Sequence, residues 1–72
     1  MTRNVLIIED NPGIGELLRI HVAELGMNPV LYERGDTGLA RFREGGIDLV
    51  VLDLMLPGID GLSVCREIRA GP

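Results

Sequence analysis

The sequence predicts an α/β domain in which three parallel strands, in the order 2-1-3, are doubly wound with helices. Two segments, Asn4-Val5-Leu6-Ile7-Ile8 and Ile47-Asp48-Leu49-Val50-Val51-Leu52, are the most apolar of the chain and rich in β-branched residues, as strands covered on both faces are. Stretches with helical periodicity alternate with the strands, the pattern of a parallel sheet with crossover helices. Both apolar strands also end on acids, Glu9-Asp10 and Asp53.

The first strand is Asn4 to Ile8. Asn11 suits an N-cap, Pro12 the first helical position and Glu16 the first turn, and Gly26 supplies a left-handed stop, so a helix is expected from Pro12 to Leu25. Its Ile14, Leu17, Leu18, Val22 and Leu25 recur at the spacing that lays one apolar stripe on a sheet. Met27 to Tyr32 reads as the second strand. Pro29 lacks a ladder donor, which places that strand on the outside. Asp36 or Thr37 can cap a second helix carrying Leu39, Ala40 and Phe42, ended by Gly45-Gly46. The third strand is Ile47 to Leu52. A loop from Leu54 to Gly61 leads to a third helix on which Leu62, Cys65 and Ile68, with Val64, are expected to face inward.

Composition narrows the function. With 72 residues the chain is one small domain, able to bury about 60 % of its unfolded surface. The net charge is −4 and the seven basic residues are scattered arginines, so direct nucleic-acid binding by this segment is not expected. Cys65 is the single cysteine, which excludes an intrachain disulfide and a thiolate metal cluster. Neither a signal-peptide core nor a membrane-spanning run is visible, so no membrane association is expected and the chain reads as cytoplasmic.

Right-handed crossovers with the order 2-1-3 put the connecting helices on opposite faces, and the crevice between the first and third strands becomes the switch point where ligands bind. Glu9, Asp10 and Asp53 would line it. Three carboxylates there repel one another unless a cation intervenes, and a site with few protein oxygens suits Mg²⁺ better than calcium. A carboxylate beside such an ion can act as nucleophile toward phosphorus. Asp53 is better placed for this than Glu9 or Asp10, because its strand leads into an irregular loop whose amides can face a phosphoryl group.

The strings Val5-Leu6-Ile7-Ile8-Glu9-Asp10-Asn11 and Asp48-Leu49-Val50-Val51-Leu52-Asp53-Leu54-Met55-Leu56-Pro57-Gly58-Ile59-Asp60-Gly61 resemble the receiver domain of two-component response regulators, most of all the type joined to winged-helix DNA-binding output domains. The resemblance runs from Val5 to about Arg69. It implies a flavodoxin-like fold cut to βαβαβα, residues 1–72 being the first three βα units of five. It implies a signalling module rather than an enzyme, in which Asp53 accepts a phosphoryl group from a phosphohistidine on a sensor histidine kinase. Asp10, Asp53 and the backbone carbonyl of Met55 would bind Mg²⁺ directly, Glu9 through water, and Pro57 and Gly61 would shape the loop. The family's later Ser or Thr and its Lys, which contact the phosphoryl oxygens, have no counterpart here, and the chain contains no lysine. Switching is therefore expected to be impaired.

Alternatives follow from the same residues. With the third strand as an apolar edge, the chain is expected to self-associate through it as a two-fold dimer, and a signalling-inactive truncated fragment that does so is the competing reading. A small Mg²⁺-dependent phosphohydrolase is disfavoured, since no acid lies two positions after Asp53. His21 falls in the apolar stripe and is read as a partly buried packing residue, and Cys65 as a small core residue. Gly13-x-Gly15 lacks the rest of any phosphate-loop fingerprint, and Asp60 is read as a helix cap rather than a ligand.

Overall fold

A computed structural model of the chain describes residues 2–53 and 59–70. Its elements are β1 (Asn4–Ile8), α1 (Pro12–Glu24), β2 (Asn28–Tyr32), α2 (Gly35–Arg43), β3 (Leu49–Leu52) and α3 (Gly61–Ala70). The strands form one parallel sheet in the order β2-β1-β3, with Leu6 opposite Val30 on one side and Val50 on the other. Pro29 thus lies on an outer strand, where its missing donor costs nothing in the ladder.

The apolar sequence of β1 has its explanation in this order. As the central strand it sends Val5 and Ile7 to one face and Leu6 and Ile8 to the other, and all four are fully buried. Val22, Leu18, Met27, Leu31 and Val51 pack around Val5 and Ile7. Val64, Phe42, Ile59, Ile68 and Leu52 are among those packing around Leu6 and Ile8. Helix α1 therefore covers one face and α2 and α3 the other, as right-handed crossovers require. Each buried aliphatic side chain contributes about 1.5–3 kcal/mol, so β1 is the centre of the fold's stability.

Polar groups set the register at the N-terminal ends of the strands. The Asn4 amide donates to Asp48 Oδ2 at 2.8 Å, Asn4 Nδ2 donates to the Gly46 carbonyl at 2.8 Å, and Asn28 Nδ2 donates to Asn4 Oδ1 at 3.0 Å. This clasp ties all three strands together where the apolar pattern alone would permit slippage.

Several expectations need correction. Of the α1 stripe only Leu18 and Val22 reach the core, where α1 lies on β1 and β2, whereas Ile14, Leu17 and Leu25 fall on the helix's exposed side. His21 is exposed, not a packing residue. Glu16 lies beyond the first turn and pairs with Arg19. Helix α2 starts earlier than expected, with Arg34 as N-cap and no side-chain cap, and Asp36 pairs instead with the Arg34 guanidinium at 2.9 Å. Leu62 is about half exposed, and the inward face of α3 is carried by Val64 and Ile68, with Cys65 half-buried. Among the described residues no helix is long and apolar enough to cross a membrane.

Candidate functional site

The site is assembled by the parallel pairing of β1 with β3. Ile8 sits opposite Leu52, so the chain leaves both strands at the same level, and the Asp53 amide donates to the Ile8 carbonyl at 3.1 Å. On the other side the Glu9 amide donates to the Tyr32 carbonyl at 2.9 Å, which holds the first residue after β1 in the sheet's hydrogen-bond frame. The consequence is that carboxylate oxygens of Glu9, Asp10 and Asp53 all lie within 4.8 Å of one another. Glu9 is buried, Asp53 half-buried and Asp10 exposed, so the cluster opens to solvent on the Asp10 side.

Helix α1 begins beside the cluster and supports it. Asn11 Oδ1 accepts from the Ile14 amide at 3.1 Å, the expected cap, while the Asn11 amide donates to Glu9 Oε2 at 3.1 Å. The second bond was not legible in the sequence. Gly15, expected from the sequence only to ease the helix start, is buried against Leu31, with the Glu9 side chain 3.9 Å from the position a Cβ would take. The only hint was a small residue at the start of an otherwise large-residue stripe.

Electrostatics set the character of the cluster. The Asn11 N–H acts to lower the Glu9 pKa, yet burial and the adjoining Asp10 and Asp53 carboxylates outweigh it and raise the value above the ordinary 4.5. The buried acid thus retains its proton more readily than a free glutamate, hydrogen-bonded to its neighbours. A divalent cation would relieve this conflict, and the donor set fits Mg²⁺: few carboxylates, all oxygen, with an open side for waters and a phosphate.

The remaining expected residues divide cleanly. Gly61 is the first residue of α3 and is buried; Met55 and Pro57 lie outside the described residues. Asp60 caps α3, accepting from the Ser63 amide at 3.0 Å and the Ser63 hydroxyl at 2.9 Å, bonds that lower its pKa. It belongs to the helix and not to the carboxylate cluster.

Comparison with known proteins identifies the family and the fold. The response regulator receiver domain family matches residues 5–72. The transcriptional regulatory protein BaeR of Escherichia coli O6:H1 is 47% identical over 68 residues, which are 94% of this chain and 28% of BaeR. The crystal structure of response regulator TrrA from Thermotoga maritima in complex with Mg²⁺-BeF superposes with a TM-score of 0.91 at 40% identity, covering 96% of this chain and 60% of TrrA. A crystal structure of the histidine kinase ThkA in complex with TrrA gives 0.91 at 39% identity, covering 99% of this chain and 61% of the matched one. The chain therefore spans under a third of BaeR and about three fifths of the matched receiver structures. With the acidic cluster at the tips of β1 and β3 and a family match from Val5 onward, the chain belongs to the response regulator receiver domain family.

Proposed function

We propose that this chain is the phosphoacceptor part of a two-component response regulator, in which Asp53 takes a phosphoryl group from a phosphohistidine of a sensor histidine kinase. The observation that carries the reading is the convergence of Glu9, Asp10 and Asp53 at the switch point of the sheet. Asp10 and Asp53, with the Met55 carbonyl, would hold Mg²⁺, and Glu9 would act through water. When bound, the ion would offset negative charge on the transferring phosphoryl group. A carboxylate oxygen of Asp53 forms the new O–P bond as the N–P bond of the phosphohistidine breaks, and the imidazole leaves with the electron pair. The Asp53 backbone, held by Ile8, keeps the acceptor at the strand tip, and Asn11 holds Glu9 beside it.

The kinase partner is supported by the ThkA complex with TrrA and the metal by the Mg²⁺-BeF complex of TrrA. A DNA-binding output domain in the parent protein and a cytoplasmic location accord with BaeR being a transcriptional regulatory protein. Incubation with acetyl phosphate and Mg²⁺ followed by intact mass tests the proposal. One phosphoryl group should be gained by the wild type and none by Asp53→Asn; no gain in either would refute it.

A second reading concerns association. Strand β3 pairs with β1 on one side only among the described residues, and its Leu49 is 53% exposed. We infer that this edge pairs with a second copy of the chain. Light scattering across a concentration series should show a dimer, weakened by Val50→Pro on the β3 edge; a monomer at all concentrations would refute the pairing.

A further inference from the structure

Two glycines of α2, Gly35 and Gly38, lie one turn apart on the face turned to the core, and both are buried. Neither has a positive φ, so backbone freedom is not what either position uses. Space is. A Cβ on Gly38 would stand 2.6 Å from Ile8 Cδ1 and 2.8 Å from Ile8 Cγ1, in the side-chain packing of β1. A Cβ on Gly35 would stand 2.3 Å from the backbone oxygen of Ile59, 2.8 Å from Ile59 Cγ2 and 3.0 Å from Val64 Cγ2. The first glycine of α2 is thus pressed against the backbone of the segment that returns from Asp53.

That contact has a definite place relative to the site. The Asp53 amide is fixed on Ile8 at one end of the connection. Ile59 packs beside Leu6, Ile8 and Val64 at the other end, and the next residue, Asp60, caps α3. Only five residues, 54–58, join the two anchors. A side chain at position 35 meets a main-chain oxygen, which cannot rotate away as a side chain can, so the contact between α2 and Ile59 must open. A span of five residues bounds how far Ile59 and Asp53 can separate.

We propose that Gly35 is a positioning residue for the acidic site, acting from the opposite end of the β3–α3 connection by leaving Ile59 room to seat against α2. The inference rests on the phosphoacceptor reading for its effect on Mg²⁺, and on packing alone for its effect on the connection. Gly38 serves for comparison, since the three atoms nearest a Cβ there all belong to the flexible Ile8 side chain and none to the Ile59 backbone, while the Ile8 carbonyl that holds Asp53 is not among them. Ile59→Ala removes the anchor from the other side without adding an atom, and serves if Gly35→Ala does not fold.

The test measures three quantities on wild type, Gly35→Ala, Gly38→Ala and Ile59→Ala: the melting temperature, the Mg²⁺ dissociation constant by calorimetry, and hydrogen exchange at the Ser63 and Val64 amides without metal. These amides bond to Asp60 and report the seating of the loop end. Both glycine variants should melt earlier. Only Gly35→Ala and Ile59→Ala should weaken Mg²⁺, by about 10-fold, the lower end of what loss of outer support costs a metal site, and only they should speed exchange. Equal Mg²⁺ affinity and exchange in Gly35→Ala and Gly38→Ala would overturn the proposal. If the wild type binds no Mg²⁺, the metal reading fails, and exchange alone decides: faster in Gly35→Ala than in Gly38→Ala sustains the anchoring role, and no difference ends it.

Discussion

The amide of Asp53 is bonded to the carbonyl of Ile8 at 3.1 Å, so the residue that closes β3 is fixed to the residue that precedes the Glu9-Asp10 pair. The same ladder that makes the sheet thereby brings three carboxylates together. Their proximity is a cost of the fold in the absence of a cation, and that cost is measurable.

The first measurable consequence is a pH dependence. Glu9 has a pKa raised above 4.5 in the folded chain, with the Asn11 N–H opposing the rise and burial and the Asp10 and Asp53 carboxylates driving it. Its contribution to stability is complete below 4.5 and is lost as pH climbs through the raised value. Thermal melts in chelator should therefore fall over that interval. Glu9→Gln should flatten the slope. An unchanged slope in the variant would assign it to another group.

Helix α3 should show the opposite dependence. The Ser63 amide and then the Ser63 hydroxyl depress the Asp60 pKa below 3.8, so its capping contribution is present above 3.8 and disappears as pH falls through the lowered value. Asp60→Asn retains an acceptor for the Ser63 amide and should remove that part of the acid sensitivity. Exchange at the Ser63 amide as a function of pH reads this locally.

Core and surface leucines should separate sharply. Leu6 is fully buried in the central strand, and Leu6→Ala should cost about 2–5 kcal/mol, a large share of what a small domain has. Leu25 is 73% exposed, and Leu25→Ala should change stability by less than about 0.5 kcal/mol. Urea unfolding of the two variants compares them directly.

The start of α1 links stability to the site. Asn11→Ala removes the acceptor of the Ile14 amide and should cost about 1 kcal/mol. It leaves the backbone N–H to Glu9 in place, so the variant should lose stability while Mg²⁺ affinity changes by less than about 3-fold. Melting and calorimetry on the same sample distinguish the two effects.

Much of the fold was legible because its strongest determinants are local. The run Val5 to Ile8 reads as a central strand, Pro29 places β2 outside, and Asn11-Pro12 and Gly26 bound α1, where Gly26 adopts a φ of 81°. The acids at the strand tips were legible for the same reason, since a parallel sheet delivers its strand ends to one edge. Periodicity could not show which part of a stripe is covered, so Ile14, Leu17, Leu25 and Leu62 were assigned to an interior they do not reach, and His21 with them. Asp36 looked like a cap until its partner Arg34 was in view. The roles of Gly35 and Gly38 depend on Ile59 and Ile8, which are distant in sequence, and Gly-x-x-Gly spacing alone does not reveal a close approach.

Calorimetric titration with Mg²⁺ at neutral pH tests the central claim, that Glu9, Asp10 and Asp53 form one cation site. The expected result is a single binding event in the wild type that is lost in both Asp10→Asn and Asp53→Asn. It should persist in Asp48→Asn, whose carboxylate is engaged with Asn4 at the opposite end of the sheet. Binding of equal strength in all four proteins, or none in the wild type, would contradict the claim.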